Sequence, residues 1–103
     1  MKEYLDKKID TWFHDRGIIE NGKPMGQAIK TLEETTELLD ALNRGDEAEI
    51  KDAIGDIYVT IRGVCLTSGL FLDECIALAY EEIKDRKGYL RADGVFVKEG
   101  DDD

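Results

Sequence analysis

The chain has 103 residues, 42% of them apolar and 37% charged, with a formal charge of −10. That length bounds it to one small domain with a modest core, and the acidic excess argues against recognition of nucleic acid through a broad basic face. No apolar run approaches the ~20 residues of a membrane span and the charged start is no signal peptide, so a cytoplasmic protein without a membrane partner is expected.

Leu5, Ile9, Trp12 and Phe13 recur at helical spacing and predict a first helix over 3–15. "RGIIENGKP" follows, with two Gly and the chain's one Pro, and predicts a connecting loop. A second helix is expected over 25–44, with Ala28, Leu32, Thr35, Leu39 and Leu42 as its inner stripe. Gly45 stops it, and Asp46 can cap a third helix over 47–68 that buries Ile50, Ile54, Ile57, Ile61 and Val64. Gly69 ends that helix. Asp73 is the expected cap of a fourth, running through Arg86 with Ile76, Ala79, Tyr80 and Ile83 inward. "ADGVFVKEGDDD" predicts a turn, a short extended piece and a frayed acidic tail. Cys65 and Cys75 read as reduced core thiols rather than a disulfide or zinc site. Four helices with short loops make an all-α, antiparallel four-helix bundle.

The acidic residues of the two long helices are grouped. At 100° per residue, Lys30, Glu34 and Glu37 share a stripe nearly opposite Leu32 and Leu39, while Glu49, Asp52 and Asp56 share one flank of the isoleucine stripe. Taken alone, a stripe opposite the core is what a solvated face looks like. Three details point the other way. Leu38 and Ala41 border the glutamates, Asp56 sits among small and apolar neighbours, and Gly55 costs its helix about 1 kcal/mol relative to Ala, which makes sense beside a close-approaching backbone or ligand. Carboxylates three or four residues apart project side by side. Two such pairs on facing helices supply oxygens to Mg²⁺, which takes its remaining ligands from water and substrate phosphates. Lys30, one turn before Glu34, can meet a phosphate as a point charge.

"KTLEETTEL" (30–38) and "DAIGDIYVTI" (52–61), with "LAYEEIKDRKG" and "DGVFVKE" after them, resemble the MazG-like all-α nucleoside triphosphate pyrophosphohydrolases of the small, stand-alone, phage or prophage type. The signature there is Lys-x-x-Glu-Glu-x-x-Glu-Leu, then a second acidic pair ending in Gly-Asp before an apolar run. The resemblance implies one MazG-like helical domain over 1–98, an acidic disordered tail over 99–103, and hydrolysis of a (d)NTP to monophosphate and pyrophosphate with Mg²⁺, for which Mn²⁺ can substitute. It implies Glu34, Glu37 and Asp56 as metal ligands, and Glu33, with Glu34, as catalytic groups that position or activate water. The family's second acidic pair would begin at Ala53, which cannot ligate, so Asp52 takes that place here, with Glu49 in reserve. Lys84, Arg86 and Lys87 resemble a phosphate-holding basic cluster, with Lys30 beside them in that role. Trp12 and Tyr80 are candidates for base stacking, and Glu81 replaces an Asn that the family often carries. A homodimer, or a dimer of dimers, is also implied.

The single His, His14, reads as a surface residue, and its solitude argues against di-iron Glu-x-x-His pairs or a Ser/His/Asp triad. No Gly-x-x-x-x-Gly-Lys loop supports a Walker-type ATPase. The alternative to an enzyme is a catalytically weak or inactive helical module that binds nucleotide or a protein, motivated by Ala53, Glu81 and the shifted Asp52.

Overall fold

The computed structural model describes residues 1–100, and the tail positions 101–103 lie outside them. In chain order they form α1 (Lys2–Asp15), α2 (Ile18–Asn21), α3 (Pro24–Arg44), α4 (Glu47–Ser68), α5 (Leu72–Ile83), β1 (Gly88–Leu90) and β2 (Phe96–Lys98). The all-α class holds, with two short strands appended. Two compact units divide the chain, one ending at Phe71 and the other beginning at Leu72. Among the described residues no single helix is long and apolar enough to cross a membrane.

Local signals set most helix ends. Pro24 opens α3 where its missing N–H costs nothing. Gly45 closes α3 at φ +68°, and Gly69 closes α4 at φ +70°, conformations that a side chain resists. Asp46 caps α4: its carboxylate accepts the backbone N–H of Glu49 at 3.2 Å. The expected loop at 16–24 is not all loop. Gly17, at φ +70°, turns the chain, and Ile18–Asn21 coil once into α2, with Asn21 Nδ2 donating to the Gly17 carbonyl at 3.1 Å. Ile18 and Ile19 are half-buried, and α2 packs on α4, so the apolar pair justifies the turn of helix.

The principal contact is α3 against α4, and it corrects the expected inner face of α3. Ala41 is buried there, with Gln27, Thr31, Glu34 and Leu38 half-buried. Ala28, Thr35 and Leu42 are exposed, as are Leu32 and Leu39 at 68% and 64%. The leucine stripe faces away because the α3–α4 seam is built from small side chains, with Ala53 and Gly63 buried on the α4 side. At Gly63 an added Cβ would stand 2.5 Å from Gln27 Oε1 and 2.9 Å from Phe13, whose ring is itself buried. Ile50, Ile57, Ile61 and Val64 are half-buried as expected, but Ile54 is 55% exposed because it lies on the side of α4 turned from α3.

α1 is tied to α4 by charge. Arg62 donates to Asp10 through Nε (3.0 Å) and Nη2 (2.6 and 2.7 Å), and Tyr58 donates its hydroxyl to Asp6 at 2.7 Å. Lys2 pairs with Asp6 at 2.9 Å. The Tyr58 hydrogen bond, and after it that of Lys2, holds the Asp6 carboxyl below its ordinary value. Cys65 is buried, as a core thiol should be; Cys75 is exposed, correcting the expectation that it too is in the core.

In the second unit α5 ends at Ile83 instead of Arg86, and Asp73 lies in its first turn rather than capping it. The expected inner residues Ile76, Tyr80 and Ile83 are exposed. β1 and β2 pair antiparallel in the register Gly88↔Lys98, Tyr89↔Val97, Leu90↔Phe96. An Arg91–Asp93 ion pair and a bond from Val95 N–H to Asp93 (3.2 Å) shape the turn between them. The Glu99 amide bonds the Lys87 carbonyl at 2.7 Å, so pairing reaches into the segment expected to be a frayed tail.

Candidate functional site

The inverted face of α3 carries Glu34 into the seam. Thr31, Glu34, Leu38 and Ala41 follow one another at three- and four-residue steps, so a carboxylate is obliged to share the packed side of the helix. Glu34 Oε2 is shielded from solvent and has no hydrogen-bond partner among the described residues. A buried acceptor left unsatisfied in this way is costly and calls for a partner.

Around it stand the other predicted carboxylates. Loss of water raises the Glu34 carboxyl from 4.5 to about 7, with Glu37 and then Asp56 pushing it the same way. Burial likewise raises Asp56, with the charges of Asp52 and Glu37 adding to the shift and the neighbouring Glu34 carboxyl opposing it. Glu34, Glu37, Asp52 and Asp56 therefore sit in one electrostatic field across α3 and α4, and like charges so placed favour a proton or a cation among them. They do not form a closed cage: among the described residues no three His, Cys, Asp or Glu side chains are grouped as a ready ligand set. Coupling through charge reaches farther than coordination does, and repulsion itself holds carboxylates apart.

A buried oxygen without a partner, with the carboxylates of Glu37 and Asp56 acting on it, suits a hard divalent cation. Mg²⁺ in particular is held by one or two carboxylates and keeps several waters, so it needs no all-protein cage. Glu34, Glu37, Asp52 and Asp56 are the residues that would hold it. Glu49 is exposed, with its backbone engaged in the α4 cap.

The other predicted residues are placed as follows. Lys30 and Glu33 are exposed and pair with each other at 3.4 Å on the Glu37 flank of α3. Trp12 is 45% exposed; Arg16 covers one face of its indole at 4.2 Å, and Phe13 meets it edge-on at 5.2 Å. Lys84, Arg86 and Lys87 lie beyond the end of α5, not on it, and Lys84 pairs with Glu81 at 2.8 Å. Arg86 lines a cavity of about 350 Å³ with Phe96 and Lys98. These and Tyr80 belong to the second unit.

Sequence reasoning missed the α1–α4 clamp. A signal for it existed: Asp6 and Asp10 stand one turn apart, as do Tyr58 and Arg62, and the two pairs are complementary. Also missed was Thr31, whose hydroxyl donates to Thr60 at 2.8 Å across the seam.

Comparison with known proteins agrees with this architecture. A 59-residue stretch, 57% of this chain, is 37% identical to an uncharacterized 18.2 kDa protein from the rep-hol intergenic region of Haemophilus phage HP1 (strain HP1c1). That stretch spans only 36% of the phage protein's length. No solved structure matches the chain. The family model for phosphoribosyl-ATP pyrophosphohydrolase matches residues 3–86, a span that takes in α1 to α5 and all four grouped carboxylates. The chain therefore belongs to the phosphoribosyl-ATP pyrophosphohydrolase family, within the MazG-like nucleoside triphosphate pyrophosphohydrolase superfamily.

Proposed function

We propose that this chain is a divalent-metal-dependent nucleotide pyrophosphohydrolase that hydrolyses a nucleoside triphosphate between its α and β phosphates, releasing monophosphate and pyrophosphate. The observation that carries this is Glu34 Oε2, buried and without a partner beside Glu37 and Asp56, in a chain of this family. Glu34, Glu37 and Asp56, with Asp52 at the edge, hold the metal. When bound, Mg²⁺ or Mn²⁺ supplies positive charge against the phosphate oxygens and acidifies water. Glu33 positions the attacking water. Lys30 leaves its pairing with Glu33 to meet the polyphosphate as a point charge. Trp12 is a stacking candidate.

Pyrophosphate release measured over a panel of canonical and modified triphosphates, phosphoribosyl-ATP included, tests the activity. Glu34→Gln and Asp56→Asn should each lower kcat roughly a thousandfold, several kcal/mol of charge stabilisation, with the circular dichroism of the helices unchanged. Full turnover in both variants would remove the site.

One observation favours a second reading. Ala53 is 3% exposed in the α3–α4 seam, where the family pattern would place an acid, and Asp52 is exposed beside it. A nucleotide-binding module without turnover fits such a site. Calorimetric binding of a nonhydrolysable triphosphate with Mg²⁺, combined with no pyrophosphate release from any triphosphate, would decide for it.

A homodimer, or a dimer of dimers, is part of the same proposal. Met25, Ile29, Leu32 and Leu39 form an exposed apolar face on α3, and such faces mark association surfaces. Leu32→Glu with Leu39→Glu should yield monomers in sedimentation equilibrium; a wild-type chain that is monomeric at all concentrations would refute this part.

A further inference from the structure

Gly55 is a helix-weakening residue in the middle of α4 that packing does not explain. A Cβ built on it meets nothing within 4 Å, unlike Gly63 two turns later, where Gln27 and Phe13 crowd the position. The space in front of it is a cavity of about 820 Å³ between α1 and α4. Leu5, Ile9, Ile54 and Val59 line it, and two of the grouped carboxylates, Asp52 and Asp56, stand on its edge. A second cavity of about 290 Å³ shares Leu5, Ile9 and Val59 with the first and runs to Trp12. Size and lining match a small-molecule site, which typically offers ~300–1,000 Å³ of mostly apolar wall with a few polar groups at one end.

We propose that the α1–α4 groove over Gly55 receives the nucleoside moiety of the substrate, with the polyphosphate leaving it past Asp52 and Asp56 toward the metal. The assignment rests on the hydrolase function proposed above and adds where specificity resides. Three features favour this occupant. The groove and the carboxylate group share Asp52 and Asp56, so one extended ligand reaches both. The apolar walls suit a planar base whose faces shed water readily. Lys2 and Lys51 also border the cavity, ion-paired to Asp6 at 2.9 Å and to Glu47 at 3.1 Å, and would exchange those carboxylates for the phosphates of a polyanionic ligand. The missing side chain at Gly55 keeps the groove open.

The test uses the full chain, Mg²⁺, and two probes: the α,β-methylene analogues of ATP, GTP, CTP and UTP, and inorganic tripolyphosphate, which has no nucleoside. Gly55→Leu fills the groove. It should weaken the best-bound analogue about tenfold or more, the scale on which pocket contacts discriminate, and leave tripolyphosphate affinity within about twofold. Ile54→Asn, a neutral polar change at an exposed wall position, gives an independent second variant with the same expected split. Gly55→Ala should raise the thermal midpoint, because the helix gains propensity with no clash. Equal weakening of both probes, no weakening of either, or dissociation of an oligomer by Gly55→Leu overturns the groove assignment alone. Failure of wild-type protein to bind any of the four analogues overturns the groove assignment; joined with no pyrophosphate release across the triphosphate panel above, it overturns the hydrolase proposal as well.

Discussion

Thr31 and Thr60 join α3 to α4 directly: the Thr31 hydroxyl donates to Thr60 Oγ1 at 2.8 Å, and Thr60 passes its own proton to the Ile57 carbonyl at 2.9 Å. Thr31 stands one turn before Glu34 and Thr60 one turn after Asp56, so this bond sets the register in which the two carboxylates face one another. Thr60→Val keeps the volume and removes the link, and frees the single Thr31 hydroxyl proton for the Gln27 carbonyl, 3.0 Å away. A loss of about 1 kcal/mol in urea denaturation is expected, together with weaker Mg²⁺ binding by calorimetry. Unchanged values of both would show that the bond does not register the site.

Glu34 makes stability depend on pH in a direction opposite to that of an ordinary salt-bridged acid. Its unfolded-state carboxyl ionises near 4.5, whereas the folded one is held up to about 7 by burial and by Glu37 and Asp56. The folded state therefore holds the extra proton between those values. This contribution is complete below about 4.5 and is lost as pH rises through about 7. Asp56, also raised, acts in the same sense. Metal-free protein should thus show a thermal midpoint that falls from pH 5 to pH 8. Glu34→Gln should flatten that slope, and Mg²⁺ should oppose it by binding the ionised form. A midpoint that climbs across the interval would contradict this account.

Arg62 anchors α1. Its side chain is 14% exposed and Asp10 37%, so the bidentate pair is partly screened, and removing it costs less than a fully buried pair would. Arg62→Met, which preserves the packed stem, should destabilise by about 1–2 kcal/mol and accelerate amide exchange in α1 more than in α3. Uniform exchange rates in the two helices would mean that the clamp is not what holds α1.

Much of the architecture was legible residue by residue. Gly45, Gly69 and Asp46 announced the ends of α3 and α4 because a positive φ and an orphan amide each require a particular kind of residue, whatever the rest of the chain does. The grouping of Glu34 with Glu37, and of Asp52 with Asp56, followed from helical spacing alone. By contrast, the one-turn α2 and the early end of α5 had no comparably strong punctuation. Strand β1 was missed because three residues carry too little periodicity to be read without their partner.

What the amino-acid order determined by itself was local: where helices begin and end, and which side chains share a stripe. Only the tertiary structure decided which stripe of α3 faces α4. Leu32 and Leu39 are the more apolar choice, yet the helices meet along Ala41, Ala53 and Gly63, because close approach of two backbones favours small side chains over hydrophobic ones. That choice turns Glu34 inward, strips water from its carboxyl and sets it against Asp56, which no periodicity along one helix could have specified.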